Sequence, residues 1–534
     1  MKSKIQSFQK SNKQMMVKKY FLMLMMAFFA ISCSKKVEVK GKVTNASPLE
    51  RIEIIEASGV GTLPLMNVGV NNKGEFSGNF DAPKDGMYIL TYGGNMNMIY
   101  LKAGQTLNIS GNGADFPQKF VITGDAKANN DFLADAEKSF QTYAAKINVG
   151  ELIAKDEKAF TTEFKKIQGD IFKNLDDAAK KYSADGSVVE WKKDETNAKL
   201  LGLLDAYQEN HSQAVNNPSF KVSKDFETLK TDITKNGDRM IKTIPIYRDY
   251  MLNKLNPDFQ KFAQGKFTNP AAMPLLGEAF VEFLKTRKDV SATAKDYFLA
   301  YVVSQSDINP ANAKKYDQIS KLIDENISDA TVKKDVKELQ KVLMGEKEGT
   351  VPNLKLTSAD GKSTNLSDLK GKPTVVMFYA SWNPNIAIMT IPTLKDVNNF
   401  YSSKANFAFV NLDDTKEQFG KTSTAMLKGF KGTNYYVDGG INSAEARKFG
   451  LYGFKLPSYI ILDKDGKTVG RPFFNLGDEE FVKTMDKLTG LTAPKVQTPT
   501  QPNPQLVPQN GAEQPQQAPA QTQPVPAQAE PATK

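Results

Sequence analysis

Thr374-Val375-Val376-Met377-Phe378-Tyr379-Ala380-Ser381-Trp382-Asn383-Pro384-Asn385-Ile386 is the stretch from which the fold is read. Val375 to Tyr379 is a short, nearly continuous apolar run, which suits a strand covered on both faces. Ala380-Ser381-Trp382 leads into Asn383-Pro384-Asn385, residues that turn a chain and start a helix. Beyond this strand, turn and helix, a second strand is expected from Asn406 to Leu412, followed by another helix. Leu456-Pro457-Ser458 then opens a strand from Ser458 to Leu462. A turn at Asp463-Lys464-Asp465-Gly466, a strand from Thr468 to Phe474 and a helix from Asp478 to Leu488 complete the pattern.

The order of elements, with Ala380-Ser381-Trp382 at the end of a buried strand, resembles the thioredoxin superfamily. It is most similar to the envelope thiol–disulfide oxidoreductases of the TlpA type, where a strand ends in Ala-Ser-Trp-Cys-x-x-Cys at a helix N-terminus. Here the two cysteine positions hold Asn383 and Ile386. Pro392 falls one residue later than the helix proline usual in that family. Shifting the register by one puts Pro384 and Ala387 at the two positions, again without a thiol. Exchange needs a thiolate at the helix N-terminus and a second thiol to resolve the mixed disulfide. The family's buried acidic or amide residue corresponds to Met377, so proton handling is lost as well. The resemblance implies a cis Pro457 facing the turn. It also implies a surface around Trp382 and Pro457 that holds an extended peptide through the backbone of the residue before the proline.

The chain has 534 residues, enough for about three domains. Lys2, Lys4, Lys10, Lys13, Lys18 and Lys19 precede an apolar run from Phe21 to Ile31, too short to span a bilayer and suited to a signal peptide. It ends at Ala30-Ile31-Ser32-Cys33, which resembles a bacterial lipobox. Lipidation of Cys33, the single cysteine, is therefore expected to tether the mature chain to a membrane. The six lysines leave with the signal and lower the formal charge from +10 to roughly +4. That surplus gives no ground for nucleic-acid binding. No free thiol remains for a disulfide or for redox cycling. His211, the single histidine, lies in Gln208-Glu209-Asn210-His211-Ser212 and reads as a solvated helix end, so neither a metal site nor another cofactor is expected.

The expected organisation is multidomain α+β. Residues 1–32 are read as a signal peptide and 33–125 as a small β-sandwich of short strands with regular turns. Gly86-Met87-Tyr88 with Ile99-Tyr100-Leu101-Lys102-Ala103-Gly104-Gln105 resembles the domain of unknown function that often precedes thioredoxin modules in Bacteroidetes lipoproteins. Residues 126–349 are read as helical. Phe160, Phe164, Ile167, Ile171 and Leu175 are spaced for one helix face, as are Val332, Val336, Leu339 and Leu343. Further core helices are expected from Ala271 to Leu284 and from Ala294 to Val303, and Gly345 to Gly349 is read as a hinge. Residues 350–490 carry the thioredoxin-like pattern. Residues 491–534 read as a disordered Pro/Gln-rich tail, with ten prolines and ten glutamines from Pro494 onward.

The functional expectation is a redox-inactive envelope lipoprotein that binds a protein or peptide partner. Its candidate groove is formed by Trp382, Asn383, Pro384, Asn385, Ile386 and Pro457, with no catalytic residue. Outer-membrane anchoring on the periplasmic face is favoured, because Ser34-Lys35-Lys36 lacks an acidic export cluster. Two alternatives stay open. One is an enzyme, either an oxidoreductase of envelope redox homeostasis working with partner thiols or a hydrolase, and the other is a sensor or assembly scaffold using the helical region. Neither a Ser-His-Asp set nor a phosphate loop is present in the sequence.

Overall fold

A computed structural model describes residues 36–47, 49–266, 274–384 and 386–494. The signal peptide, Cys33, Asn385 and the tail beyond 494 lie outside the described residues. The first strands are β1 (Lys36–Thr44), β2 (Arg51–Glu56), β3 (Pro64–Gly69) and β4 (Glu75–Asp81), then β5 (Gly86–Tyr92), β6 (Asn95–Leu101), β7 (Thr106–Asn112) and β8 (Phe120–Thr123). They form two four-stranded sheets, ordered β4-β1-β7-β8 and β3-β2-β5-β6. β1 shows why they stack. Val37, Val39 and Val43 point inward while the charged residues between them face solvent. Gly41 fills the gap in that inward row. A Cβ there would sit 2.3 Å from the Phe76 ring and 2.5 Å from the Ile109 carbonyl. β3 went unread in the sequence.

Among the described residues of 127–344 the regular elements are helices, with no strand. In Glu157–Tyr182, Asp156 caps the first turn by accepting from Ala159 N at 2.9 Å. The face read from the spacing, Phe160 to Leu175, is buried. One end of the expected Ala271–Leu284 helix lies outside the described residues, and the helix observed is Leu276–Thr286. The expected Ala294–Val303 helix runs Ala292–Val302. His211 corrects the sequence reading. It is 4% exposed, it stacks on Tyr207 at 4.6 Å, and its Nδ1 bonds Ile153 O at 2.6 Å. The helix Gly186–Ala214 continues past it, so His211 lies one turn beyond Tyr207 on the inward face. The helical core continues into the β-sandwich through Ala57, Met87 and Tyr100. On β6, Asn130 accepts from Tyr100 N and donates to Tyr100 O, each at 2.9 Å, so one side chain satisfies both backbone groups of an edge-strand residue.

The last sheet has seven strands: β9 (Lys355–Ser358), β10 (Ser363–Asn365), β11 (Thr374–Tyr379), β12 (Asn406–Asn411), β13 (Thr433–Tyr436), β14 (Ser458–Leu462) and β15 (Thr468–Phe473). The order is β10-β9-β13-β12-β11-β14-β15, with β11, β12 and β13 parallel. Every residue of β11 is buried, as its apolar run requires of a central strand. The segment read as a hinge is pinned instead. Gly349 N donates to Thr468 O at 2.8 Å, and Thr468 Oγ1 donates to Lys347 O at 3.1 Å.

Candidate functional site

The site forms at the C-terminal end of β11. Ala380-Ser381-Trp382-Asn383 turns back on itself, with Asn383 N donating to Ala380 O and Ile386 N to Asn383 O, both at 3.2 Å. Ile386–Thr390 is a π-helical turn that feeds the helix Ile391–Tyr401. A π turn holds one residue more than an α turn. The extra residue before Pro392 is accommodated there, with Asn383 just before the π turn and Ile386 opening it. The two diverge sharply in environment. Ile386 is buried with Val375, Met377 and Tyr379 under the sheet. Asn383 is half-buried, and its Nδ2 donates to Leu456 O at 2.5 Å. Asn385 lies outside the described residues.

The Leu456–Pro457 bond is cis. Leu456 N donates to Gly453 O at 3.1 Å while its carbonyl takes the Asn383 amide. Both backbone groups expected to hold a peptide are therefore already engaged. Trp382 is half-buried, and Arg51 of β2 lies over its ring with the guanidinium carbon 4.1 Å from the centroid. The groove read between Trp382-Asn383 and Pro457 is thus closed from within, by Asn383 on one side and by the N-terminal sandwich on the other.

Several residues that carry this arrangement were missed in the sequence. Arg51 forks onto Asp414, with Nη2 donating to Oδ1 at 2.7 Å and Nη1 to Oδ2 at 3.0 Å. Asn442 accepts from Asn67 N of β3 at 2.9 Å and donates to Asn67 O. The Asn67 amide in turn takes Arg51 Nε–H and donates to Glu53. Asp413, wholly buried, accepts from Ser381 N at 2.6 Å, Thr422 Oγ1 at 2.9 Å and Asn411 Nδ2 at 3.0 Å, which fixes the start of the turn. Gly453 permits the close packing. A Cβ there would meet Asn67 Nδ2 at 2.8 Å and Trp382 Cη2 at 3.2 Å. Only the acid pair after an apolar strand, Asp413-Asp414, gave a local signal. Arg51 and Asn67 reach the site from more than 350 residues away.

Burial dominates the local electrostatics. It raises the Glu53 carboxyl above its ordinary value, with the Asn67 amide and Arg51 opposing. It raises the Tyr379 hydroxyl too. It pushes the Lys455 amine down to about 7. Among the described residues, no group of three or more His, Cys, Asp or Glu side chains is placed to hold a metal ion. No helix among them is long and apolar enough to cross a membrane.

Residues 346–472 match the Redoxin family. The C-terminal domain is thioredoxin-like. Its sequence is 27% identical over 139 residues to the chloroplastic thioredoxin-like protein HCF164 of Oryza sativa subsp. japonica, covering 26% of this chain and 40% of that protein. Less than half the length of that curated relative is therefore spanned. Among solved structures, the thioredoxin domain of a thiol-disulfide oxidoreductase from Bacteroides vulgatus is 20% identical. The match covers 27% of this chain and 97% of that one, with a TM-score of 0.23. A thiol-disulfide oxidoreductase from Bacteroides fragilis is 19% identical over 26% of this chain and 98% of that one, with a TM-score of 0.22. Within the Redoxin-matched residues lie the turn at Asn383, the cis Leu456–Pro457 bond and the helix Ile391–Tyr401.

Proposed function

We propose that this chain is a redox-inactive, thioredoxin-fold lipoprotein of the bacterial envelope, and that its thioredoxin-like end binds a protein or peptide segment. It is tethered through lipidated Cys33, in the outer membrane and facing the periplasm. One observation carries the reading. The Asn383 amide sits on the Leu456 carbonyl, so a hydrogen-bonding group stands where exchange would need a nucleophile. That amide forms no mixed disulfide, and because it already takes the Leu456 carbonyl, the contact left for an incoming segment is Trp382 with its unpaired Nε1–H. The names of the fold's relatives favour a second reading, an oxidoreductase that borrows partner thiols.

Insulin disulfide reduction separates the two. The mature protein should give no turnover with dithiothreitol or glutathione as electron source. Asn383→Cys with Ile386→Cys should give measurable but slow exchange, because Met377 is buried and carries no proton. Turnover by the wild type would overturn the redox-inactive reading.

A further inference from the structure

We infer that the β2–β3 pair of the N-terminal sandwich is a ligand in cis for the thioredoxin-like end, and that a partner segment gains that end only when this docking opens. The inference rests on the partner-binding reading above. It starts from what covers Trp382. Arg51, whose side chain is 8% exposed, both stacks on the indole and forks onto Asp414. Asn442 holds the Asn67 N–H and C=O as a neighbouring strand would. A stretch of edge strand and a planar cation therefore occupy the face where an extended partner would lie.

The contrast between the sandwich's two attachments makes this docking the one that yields. Toward the helices, Ala57, Met87 and Tyr100 join one continuous apolar core. Toward the thioredoxin-like sheet, the inner core of the sandwich and that of the sheet stay separate, Tyr452 alone packs at the rim of the helical core, and β2 and β3 are held by the ion pair, the asparagine pair and Trp382. A polar interface of this kind is the ordinary place for domain motion. Trp382 also has an unmet need, since its Nε1–H is buried without an acceptor. A backbone carbonyl from an incoming segment would satisfy it.

The test uses the full chain carrying Trp191→Phe, which leaves Trp382 as the single tryptophan. Gly453→Val wedges the interface without removing a docking group, and Arg51→Ala removes the clasp. Acrylamide quenching reports exposure of Trp382. A cysteine-free, fluorescein-labelled library of extended decapeptides reports binding, with circular dichroism confirming the fold. Both variants should raise quenching and bind the library about tenfold or more tightly than the parent, as expected if the open state is under a tenth populated. Trp382→Ala in the opened background should abolish the gain. If folded variants leave Trp382 equally shielded, or if the parent binds as well as they do, the gating inference is overturned. If Trp382 becomes exposed and the library still does not bind, the partner-binding reading falls and takes the gating with it.

Discussion

Lys455 carries its amine into the interior of the thioredoxin-like domain, one residue before Leu456 and the cis proline. It is 5% exposed, and Gly450 O at 3.2 Å accepts from Nζ. Burial favours the neutral amine, which lowers the affinity for the proton to about 7. The unfolded chain takes that proton below the ordinary value of 10.5, and the folded chain only below about 7. Between those values the unfolded state binds more protons, so stability rises with pH. Below about 7 the full cost of the buried charge remains. Lys455→Met should therefore stabilise the protein at neutral pH by roughly 2–4 kcal/mol, and the advantage should shrink toward pH 9. Urea denaturation of both proteins at pH 7 and pH 9 checks this. A difference that does not change with pH would mean the amine reaches solvent.

At the scale of elements, the π turn Ile386–Thr390 is the place where one extra residue enters a pattern otherwise readable from sequence. Its Met389 is 56% exposed. Removing Met389 should convert the turn to α geometry, leave the fold intact and change stability by about 1 kcal/mol or less. Circular dichroism with a urea midpoint measures the outcome, and loss of the fold would show that the turn's backbone is needed as it stands. The same domain shows what a sequence conveys. β11, β14 and β15 were legible because apolar runs and the Leu456-Pro457-Ser458 break mark them. β9, β10 and β13 were not. Ser363-Thr364-Asn365 is short and polar, and Thr433-Asn434-Tyr435-Tyr436 is four residues with only its two tyrosines buried, so each is defined by its neighbours. Trp382, Asn383 and Pro457 were legible from the strand and turn. Arg51, Asn67 and Asn442 were not, because an interface between distant segments has no local period. His211 failed for a related reason: polar neighbours concealed an inward position one turn after Tyr207.

For the whole molecule, the sheet β3-β2-β5-β6 ends in two strands whose outer groups are taken by asparagines from other parts of the chain. Asn130 holds Tyr100 on β6, and Asn442 holds Asn67 on β3. A fragment of residues 34–125 lacks both, leaving two open edges. It should associate as its concentration rises, which light scattering coupled to size exclusion would show. A fragment that stays monomeric at high concentration would mean the edges protect themselves. The two seals also differ in when they can form. Tyr100 and Asn130 are 30 residues apart, while Asn67 and Asn442 are 375 apart. In a chain made N-terminus first at about 5–20 residues per second, the β6 edge waits a few seconds for its asparagine, and the β3 edge waits roughly 20–75 seconds. β3 is the strand that begins with a proline, a residue that cannot donate to an intruding partner. The edge left open longest during synthesis carries its own deterrent.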